Sequence, residues 1–218
     1  DRGKHTVNQM AAFAMLQHSF TKNFWTNASL RYDKNNVVDG VVIPQLNLSY
    51  KQKALLLRAS VGTSFRYADF TELYNNYNKT LVTSGKIGNP NLGAEKALNY
   101  ELGMDVFASK SLKISWDVFQ RDCSDLIDWA TTAYANMPRQ ENLSPTGNYL
   151  LAKNVSKITT SGTELNVLYV KEFTNKTKLT SSVGLVWLDS KSNEGQMTLY
   201  LAAHAKLLSN FSVRYAAK

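Results

Sequence analysis

Hydrophobic and polar residues alternate with a period of two along most of this chain. In residues 55–65 the odd positions are Leu, Leu, Ala, Val, Thr and Phe, whereas the even positions after Leu56 are Arg, Ser, Gly and Ser. Successive side chains of a strand point to opposite faces, so this pattern predicts strands with one apolar and one polar face. On this basis we predict about ten strands, at residues 7–19, 23–34, 41–51, 54–65, 97–108, 111–123, 150–171 (bent or interrupted), 176–188, 197–207 and 210–217.

Short and long connections alternate between these predicted strands. The short ones lie at residues 21–23, 52–53, 109–110, 172–175 and Ser209, and the long ones at 35–40, 66–96, 124–149 and 189–196. In an up-and-down antiparallel sheet, this order places all tight turns at one end and all long loops at the other. Transmembrane β-barrels have this arrangement. A soluble sandwich or a lipocalin stays an alternative, because it shows the same alternation of faces.

Charged side chains occur in the middle of the predicted polar faces. A dry sandwich core would not accept them, but a wide, water-filled lumen does. We therefore predict that they face a lumen, while the opposite faces contact lipid. An antiparallel sheet with one face in water is the remaining alternative. The predicted lumen-facing residues are Arg58, Glu101, Asp105, Lys113, Asp117 and Arg121.

The composition narrows the class of function. The chain has 25 Lys and Arg against 17 Asp and Glu, a net charge of +8, but the basic residues are dispersed, so we expect no nucleic-acid partner. Cys123 is the single cysteine and the three histidines are far apart, so we expect no metal site. Neither a nucleophile turn nor a phosphate-binding loop is present in the sequence. We therefore expect no catalytic residue, no cofactor and no enzyme activity.

Several motifs resemble those of TonB-dependent outer-membrane receptors. Residues 64–74 read S-F-R-Y-A-D-F-T-E-L-Y and residues 88–96 read G-N-P-N-L-G-A-E-K. They are followed by Y-E-L-G at 100–103, D-L-I-D-W at 125–129 and G-T-E at 162–164. Ala68 and Ala94 stand where the first two motifs usually have proline, and we expect only small local differences there.

The resemblance implies that residues 1–218 are part of a single transmembrane β-barrel domain, about ten strands from the middle-to-C-terminal portion of a 22-stranded barrel. The plug domain and the last strands are then absent from this chain. The tight turns are expected to be periplasmic and the long loops extracellular, in the outer membrane of a Gram-negative bacterium. The expected partners are outer-membrane lipid and, through the missing N-terminal part, the TonB complex.

The function that the resemblance implies is energy-dependent uptake of a scarce metal chelate, either a ferric siderophore or cobalamin. Aromatic and charged residues of the two longest loops are the candidates for ligand binding, because such side chains stack on and hydrogen-bond a bulky polar chelate. For motif residues such as Arg66, a purely structural role is the competing interpretation. A soluble all-β binding module and a non-transporting outer-membrane barrel are the alternative functions. The candidate binding residues are Arg66, Tyr67, Tyr74, Tyr77, Lys79, Trp129, Tyr134 and Arg139.

Overall fold

A computed structural model describes residues 2–37, 40–155, 157–174, 177–192 and 205–217. The chain is almost entirely β-structure, with one short helix, α1 (Phe70–Tyr74), and one turn of 3-10 helix at Tyr134–Asn136. The strands in these residues are β1 (Gln9–Ser19), β2 (Phe24–Asn35), β3 (Val41–Gln52), β4 (Leu55–Arg66), β5 (Lys86–Ile87), β6 (Glu95–Phe107), β7 (Leu112–Ser124), β8 (Leu126–Ala133), β9 (Asn148–Val155), β10 (Ile158–Glu172), β11 (Lys178–Ser192) and β12 (Leu207–Ala216). Among the described residues, no helix is long and apolar enough to cross a membrane.

Nine strands form one antiparallel sheet in the order β1-β2-β3-β4-β6-β7-β10-β11-β12. Each strand pairs with the sheet strand that follows it in the chain, as in the hairpin of β10 and β11. Connections of two to five residues follow β1, β3, β6 and β10, and those after β4, β7 and β11 are much longer, while the connection after β2 has five residues. The predicted antiparallel up-and-down fold is therefore confirmed, with tight turns at one end of the sheet and long loops at the other.

Two predictions about the connections are wrong. Residues 124–149 were expected to be a loop, but they contain β8, which pairs with β9. Ser209 was expected to be a tight turn, but it lies inside β12, opposite Leu185 of β11. A serine favours turns only weakly, and here the ladder with β11 continues through it. The predicted interruption in 150–171 occurs between β9 and β10, and most of the predicted strand 197–207 lies outside the described residues.

The two faces of the large sheet differ in polarity. Cross-strand register aligns Leu57 with Met104, Met104 with Trp116, and Trp116 with Leu165, so an apolar row crosses four strands. Three of these residues are exposed, Leu57 to 42%, Trp116 to 47% and Leu165 to 37%, and Met104 is half-buried. On the opposite face the same register aligns Arg58, Gly103 and Asp117.

The buried apolar core lies in the long loops and at the adjoining ends of β6, β7 and β10 rather than along the large sheet. Strands β5, β9 and β8 form a second, three-stranded sheet at the loop end. Every buried hydrophobic side chain among the described residues falls within residues 73–97 or 123–158. We call residues 66–96 and 124–155 the loop body. Its largest cluster consists of Val82, Ile87, Met137, Leu143, Tyr149 and Leu151.

Candidate functional site

Arg66 fastens the start of the loop body by ion pairs. Its guanidinium donates two hydrogen bonds to Glu95, at 2.8 and 2.7 Å, and two to Glu72, both at 2.9 Å. Glu95 in turn accepts the buried backbone N–H of Ile127 at 2.8 Å, so the same carboxylate connects both loops. Such two-pronged pairs between arginine and carboxylate are both strong and geometrically specific.

The motif after Arg66 builds helix α1. Asp69 is its N-cap and accepts the backbone N–H groups of Thr71 and Glu72, while the Glu72 side chain accepts the N–H of Asp69. This reciprocal arrangement is a capping box, which satisfies donors that a helix start leaves unpaired. The charged residues of the first sequence motif are therefore engaged in structural contacts.

A second set of contacts joins the two loops into one body. The buried Tyr149 hydroxyl donates to the carbonyl oxygens of Val82 and Ser144, both at 2.9 Å. Asn89 donates from its side chain to the carbonyl of Ala152 at 3.1 Å. Strand β5 pairs in parallel with β9, which adds backbone hydrogen bonds between the loops. Residues 70–92 are consequently held by residues of the 124–155 segment.

A cleft opens where these loops meet. It has a volume of about 230 Å³ and is lined by residues that include Tyr77, Gly88, Asn89, Met137, Arg139 and Leu151. The guanidinium carbon of Arg139 lies 4.0 Å from the centre of the Tyr77 ring, a cation–π contact. The Nε and Nη2 atoms of Arg139 are buried and have no hydrogen-bond partner among the described residues. We call this feature the Tyr77–Arg139 cleft.

The unpaired guanidinium defines what the cleft can bind. Arginine carries N–H donors in a planar fork and no acceptor, so its natural partner is an anionic oxygen. A buried donor without a partner costs free energy, and a ligand oxygen that accepts from it removes that cost. The cleft is therefore suited to an anionic group beside an aromatic or planar surface.

Among the remaining predicted binding residues, Tyr74 and Tyr134 contact residues of the cleft or of its core. Tyr74 contacts Tyr77 edge-on at 6.3 Å and stacks on His5 at 3.4 Å between ring centres. Tyr134 packs against the largest loop cluster. The ammonium nitrogen of Lys86 lies 5.0 Å from the centre of the Trp129 ring. Lys79 is exposed, and none of its described contacts reaches the cleft.

Tyr67 lies apart from the cleft, in a small depression that also includes Asn35 and Phe70. Its hydroxyl is buried without a hydrogen-bond partner among the described residues. Burial raises the pKa of the Tyr67 phenol, and the negative charge of Asp33 adds to the increase. Asp33 is fully buried and accepts hydrogen bonds from Gln9 and Arg31, a contact that no sequence motif indicated.

Five of the six residues predicted to face a lumen form one ion-pair network on the polar face of the sheet. The guanidinium nitrogens of Arg58 lie 2.7 Å from a carboxylate oxygen of Asp117, 3.3 Å from one of Asp105 and 3.8 Å from one of Glu101. Lys113 completes it at 3.1 Å from Asp105. Alternation along β7 places Arg121 on the same face as Asp117. Their exposure to a lumen stays a prediction.

Sequence reasoning missed His5 and Asn89 as neighbours of the candidate site. His5 precedes the first strand and carried no signal of its own. Asn89 was visible within the second motif, but its role is to bond Ala152 across the loops. No group of three or more potential metal ligands is found within the residues that the structure describes.

The chain matches the family described as TonB dependent receptor-like, beta-barrel over residues 1–216. No curated protein matches it.

Solved structures with a similar fold include three receptors. The siderophore receptor PirA from Pseudomonas aeruginosa is 20% identical, with a TM-score of 0.68, over 86% of this chain and 35% of that one. PirA from Acinetobacter baumannii is 18% identical, with a TM-score of 0.67, over 89% of this chain and 29% of that one. A mutant of the ferric enterobactin receptor PfeA from Pseudomonas aeruginosa, in complex with enterobactin, is 18% identical, with a TM-score of 0.63, over 84% of this chain and 27% of that one. The chain thus spans about a third or less of each of these structures.

Proposed function

Because this chain belongs to the TonB-dependent receptor β-barrel family, we propose that it forms part of an outer-membrane receptor for energy-dependent uptake of an anionic metal chelate. The ligand class that we favour is a ferric siderophore. The receptor lies in the outer membrane of a Gram-negative bacterium, receives energy from the TonB complex through a part outside this chain, and is not an enzyme. The similar folds of PirA and PfeA, a siderophore receptor and a ferric enterobactin receptor, support this choice.

The observation that carries the proposal is the unpaired guanidinium of Arg139 above Tyr77. Siderophores bind iron(III) through negatively charged oxygen atoms, and many ferric complexes keep a net negative charge. Arg139 supplies donors for such oxygens, while Tyr77 and the nearby Tyr74 supply aromatic surface. In this proposal Trp129, Tyr134 and Lys79 form the outer part of the binding surface, whereas Arg66 and Tyr67 serve mainly the structure of the loop body.

The sheet provides the passage in this proposal. Its polar face, with Arg58, Glu101, Asp105, Lys113, Asp117 and Arg121, lines the lumen, and its apolar face contacts lipid. A soluble module would instead expose that apolar face to water, with Leu102 60% and Phe211 70% accessible. An exposed apolar surface of this extent is typical of a membrane or partner contact.

Cobalamin is the second candidate ligand, because its phosphate is also an anion that arginine can bind. The D-L-I-D-W segment at 125–129 resembles the cobalamin branch of the family. In the structure, however, Ile127 and Asp128 of this segment are buried in the loop body. We therefore place cobalamin behind a ferric siderophore.

The test is equilibrium binding to the full-length protein in detergent, with a panel of ferric siderophores and cobalamin titrated in parallel. Arg139→Gln should weaken binding of the true ligand by roughly 10- to 100-fold, the equivalent of one charge-assisted hydrogen bond. Lys157→Gln, which removes an exposed charge elsewhere at the loop end, is the matched control. Binding of cobalamin alone would exclude the siderophore assignment. Unchanged affinity in the Arg139 variant would remove the cleft from the binding site.

A further inference from the structure

The tight turns at one end of the large sheet are basic. Lys22, Lys53, Lys110 and Lys171 lie in or beside the turns that follow β1, β3, β6 and β10, one at each turn. All four side chains are exposed. Among the described residues of these turns, Glu172 is the only carboxylate, and it pairs with Lys178 at 3.4 Å. We call the four lysines the turn-end lysines.

These charges are not neutralised within the part of the chain that the structure describes. None of the turn-end lysines has a carboxylate within 4.0 Å there. At the loop end some cations are paired, as in Arg66 with Glu72 and Glu95 or Lys206 with Asp189, and carboxylates are frequent beside those that are not. The turn end differs because its lysines are free and almost no carboxylate lies near them among the described residues.

Aromatic rings lie near the first two of these turns and the last one, on the border of the apolar face. Phe20 stacks on Phe24 with 5.2 Å between ring centres, and Tyr50 is the cross-strand partner of Phe24. At the last turn, the Lys171 ammonium lies 5.4 Å from the centre of the Phe173 ring. Aromatic rings next to cationic groups at the ends of apolar strands are suited to the region between hydrocarbon and headgroups.

The arrangement repeats along the sheet edge. The four turns join consecutive strand pairs, so neighbouring turns are separated by two strand spacings, about 10 Å. A flexible lysine at each step presents its ammonium to a plane rather than to one compact ligand. This geometry favours a surface of many small anions over a single folded partner.

We propose that the turn-end lysines bind the phosphate groups of anionic phospholipids, such as phosphatidylglycerol, in the leaflet next to the turns. The inference rests on the proposed membrane-spanning role of the sheet, but not on the identity of the transported ligand. Lysines near a membrane surface attract anionic headgroups, and high salt weakens the attraction. The aromatic rings fix the depth at which the lysines lie.

The test uses the full-length protein in phosphatidylcholine bilayers with trace spin-labelled phosphatidylglycerol or phosphatidylcholine. Electron paramagnetic resonance then gives the relative association of each lipid with the protein. We expect the wild type to prefer phosphatidylglycerol by about twofold or more at low salt, and to lose this preference in 1 M salt. In the variant K22Q/K53Q/K110Q/K171Q, the association of phosphatidylglycerol relative to phosphatidylcholine should fall to about one.

The matched control neutralises four lysines at the other end of the sheet, K34Q/K96Q/K153Q/K157Q, and should keep most of the preference. The inference is overturned if the wild type shows no preference, or if the loop-end variant loses as much as the turn-end variant. It is also overturned if the turn-end variant keeps its lipid preference but loses binding to peptidoglycan fragments, which would assign the surface to the cell wall. Chelate binding, measured on the same variants in detergent, tests the proposed function separately and should not change in the turn-end variant.

Discussion

Replacing Arg66 by methionine should loosen the loop body while the large sheet stays intact. Methionine keeps much of the aliphatic stem but removes four hydrogen bonds, two to Glu72 and two to Glu95. The Glu95 side chain is 11% exposed, so the variant leaves a nearly buried carboxylate without its counter-ion. The buried N–H of Ile127 depends on this carboxylate as its acceptor.

The expected loss of free energy follows from the exposure of the three side chains in the ion pairs. Hydrogen bonds to charged groups contribute about 1.5–3 kcal/mol each when formed in a protein. Here the Arg66 side chain is 45% exposed, so solvent screens part of the interaction, while the two carboxylates are 13% and 11% exposed. We expect a loss of about 2 kcal/mol in the free energy of opening the loop body, which corresponds to roughly 30-fold faster amide exchange.

Hydrogen–deuterium exchange on the full-length protein measures this directly. Peptides that cover residues 66–96 and 124–155 should exchange faster in Arg66→Met, and peptides from β2 and β3 should not. Lys96→Met is the matched control, because Lys96 is an exposed cation beside Glu95 and has no ion pair among the described residues. Wild-type exchange at Ile127 in the Arg66 variant, or an equal acceleration in the Lys96 variant, would show that the ion pairs do not hold the loops.

Three further substitutions test other parts of the structure by thermal or denaturant unfolding of the full-length protein. Gly103→Ala should destabilise the sheet, because the added carbon would force the Asp117 carboxylate out of its ion pair with Arg58. Gly62→Ala is its milder control, because its three nearest atoms all belong to Gln45, at 3.0–3.3 Å, and no charged group is displaced; equal effects would contradict the argument. Tyr149→Phe should cost about 1 kcal/mol and speed exchange in the loop body, since it removes two hydrogen bonds, one to the Ser144 carbonyl and one to the Val82 carbonyl, which keeps only the Ser144 N–H as a donor; an unchanged rate would refute this. Tyr67→Phe should be neutral or slightly stabilising, because it removes a buried hydroxyl without a partner, and a loss above about 1 kcal/mol would show that the hydroxyl has one.

The strands of the large sheet could be predicted from sequence because each has one face in a polar and one in an apolar environment. Strand β4, predicted at 54–65, is observed at Leu55–Arg66. Strand β8 could not be found in this way. Its first three residues, Leu126, Ile127 and Asp128, are all buried, because both of its faces pack inside the loop body. A strand buried on both faces loses the period-two signal.

The candidate site was only partly accessible to the same reasoning. Tyr77 and Arg139 were selected separately, by residue type, from two different loops. Their contact depends on pairing between β5 and β9 and on the bond from Asn89 to Ala152, which joins positions 63 residues apart. Residue types within one loop carry no information about such long-range packing. Candidate residues could therefore be predicted from the sequence, but not the contact between them.

The position of the buried core bears on how the cleft would work. In the proposed membrane setting, lipid covers the apolar face of the sheet, but the loops stand in water and must bury apolar side chains among themselves. They do so through Val82, Ile87, Met137 and Leu151, and all but Val82 also line the cleft. A cleft built on its own core holds Arg139 in place before any ligand arrives. Preorganisation of this kind reduces the ordering cost of binding, so a scarce ligand is captured with less loss of affinity.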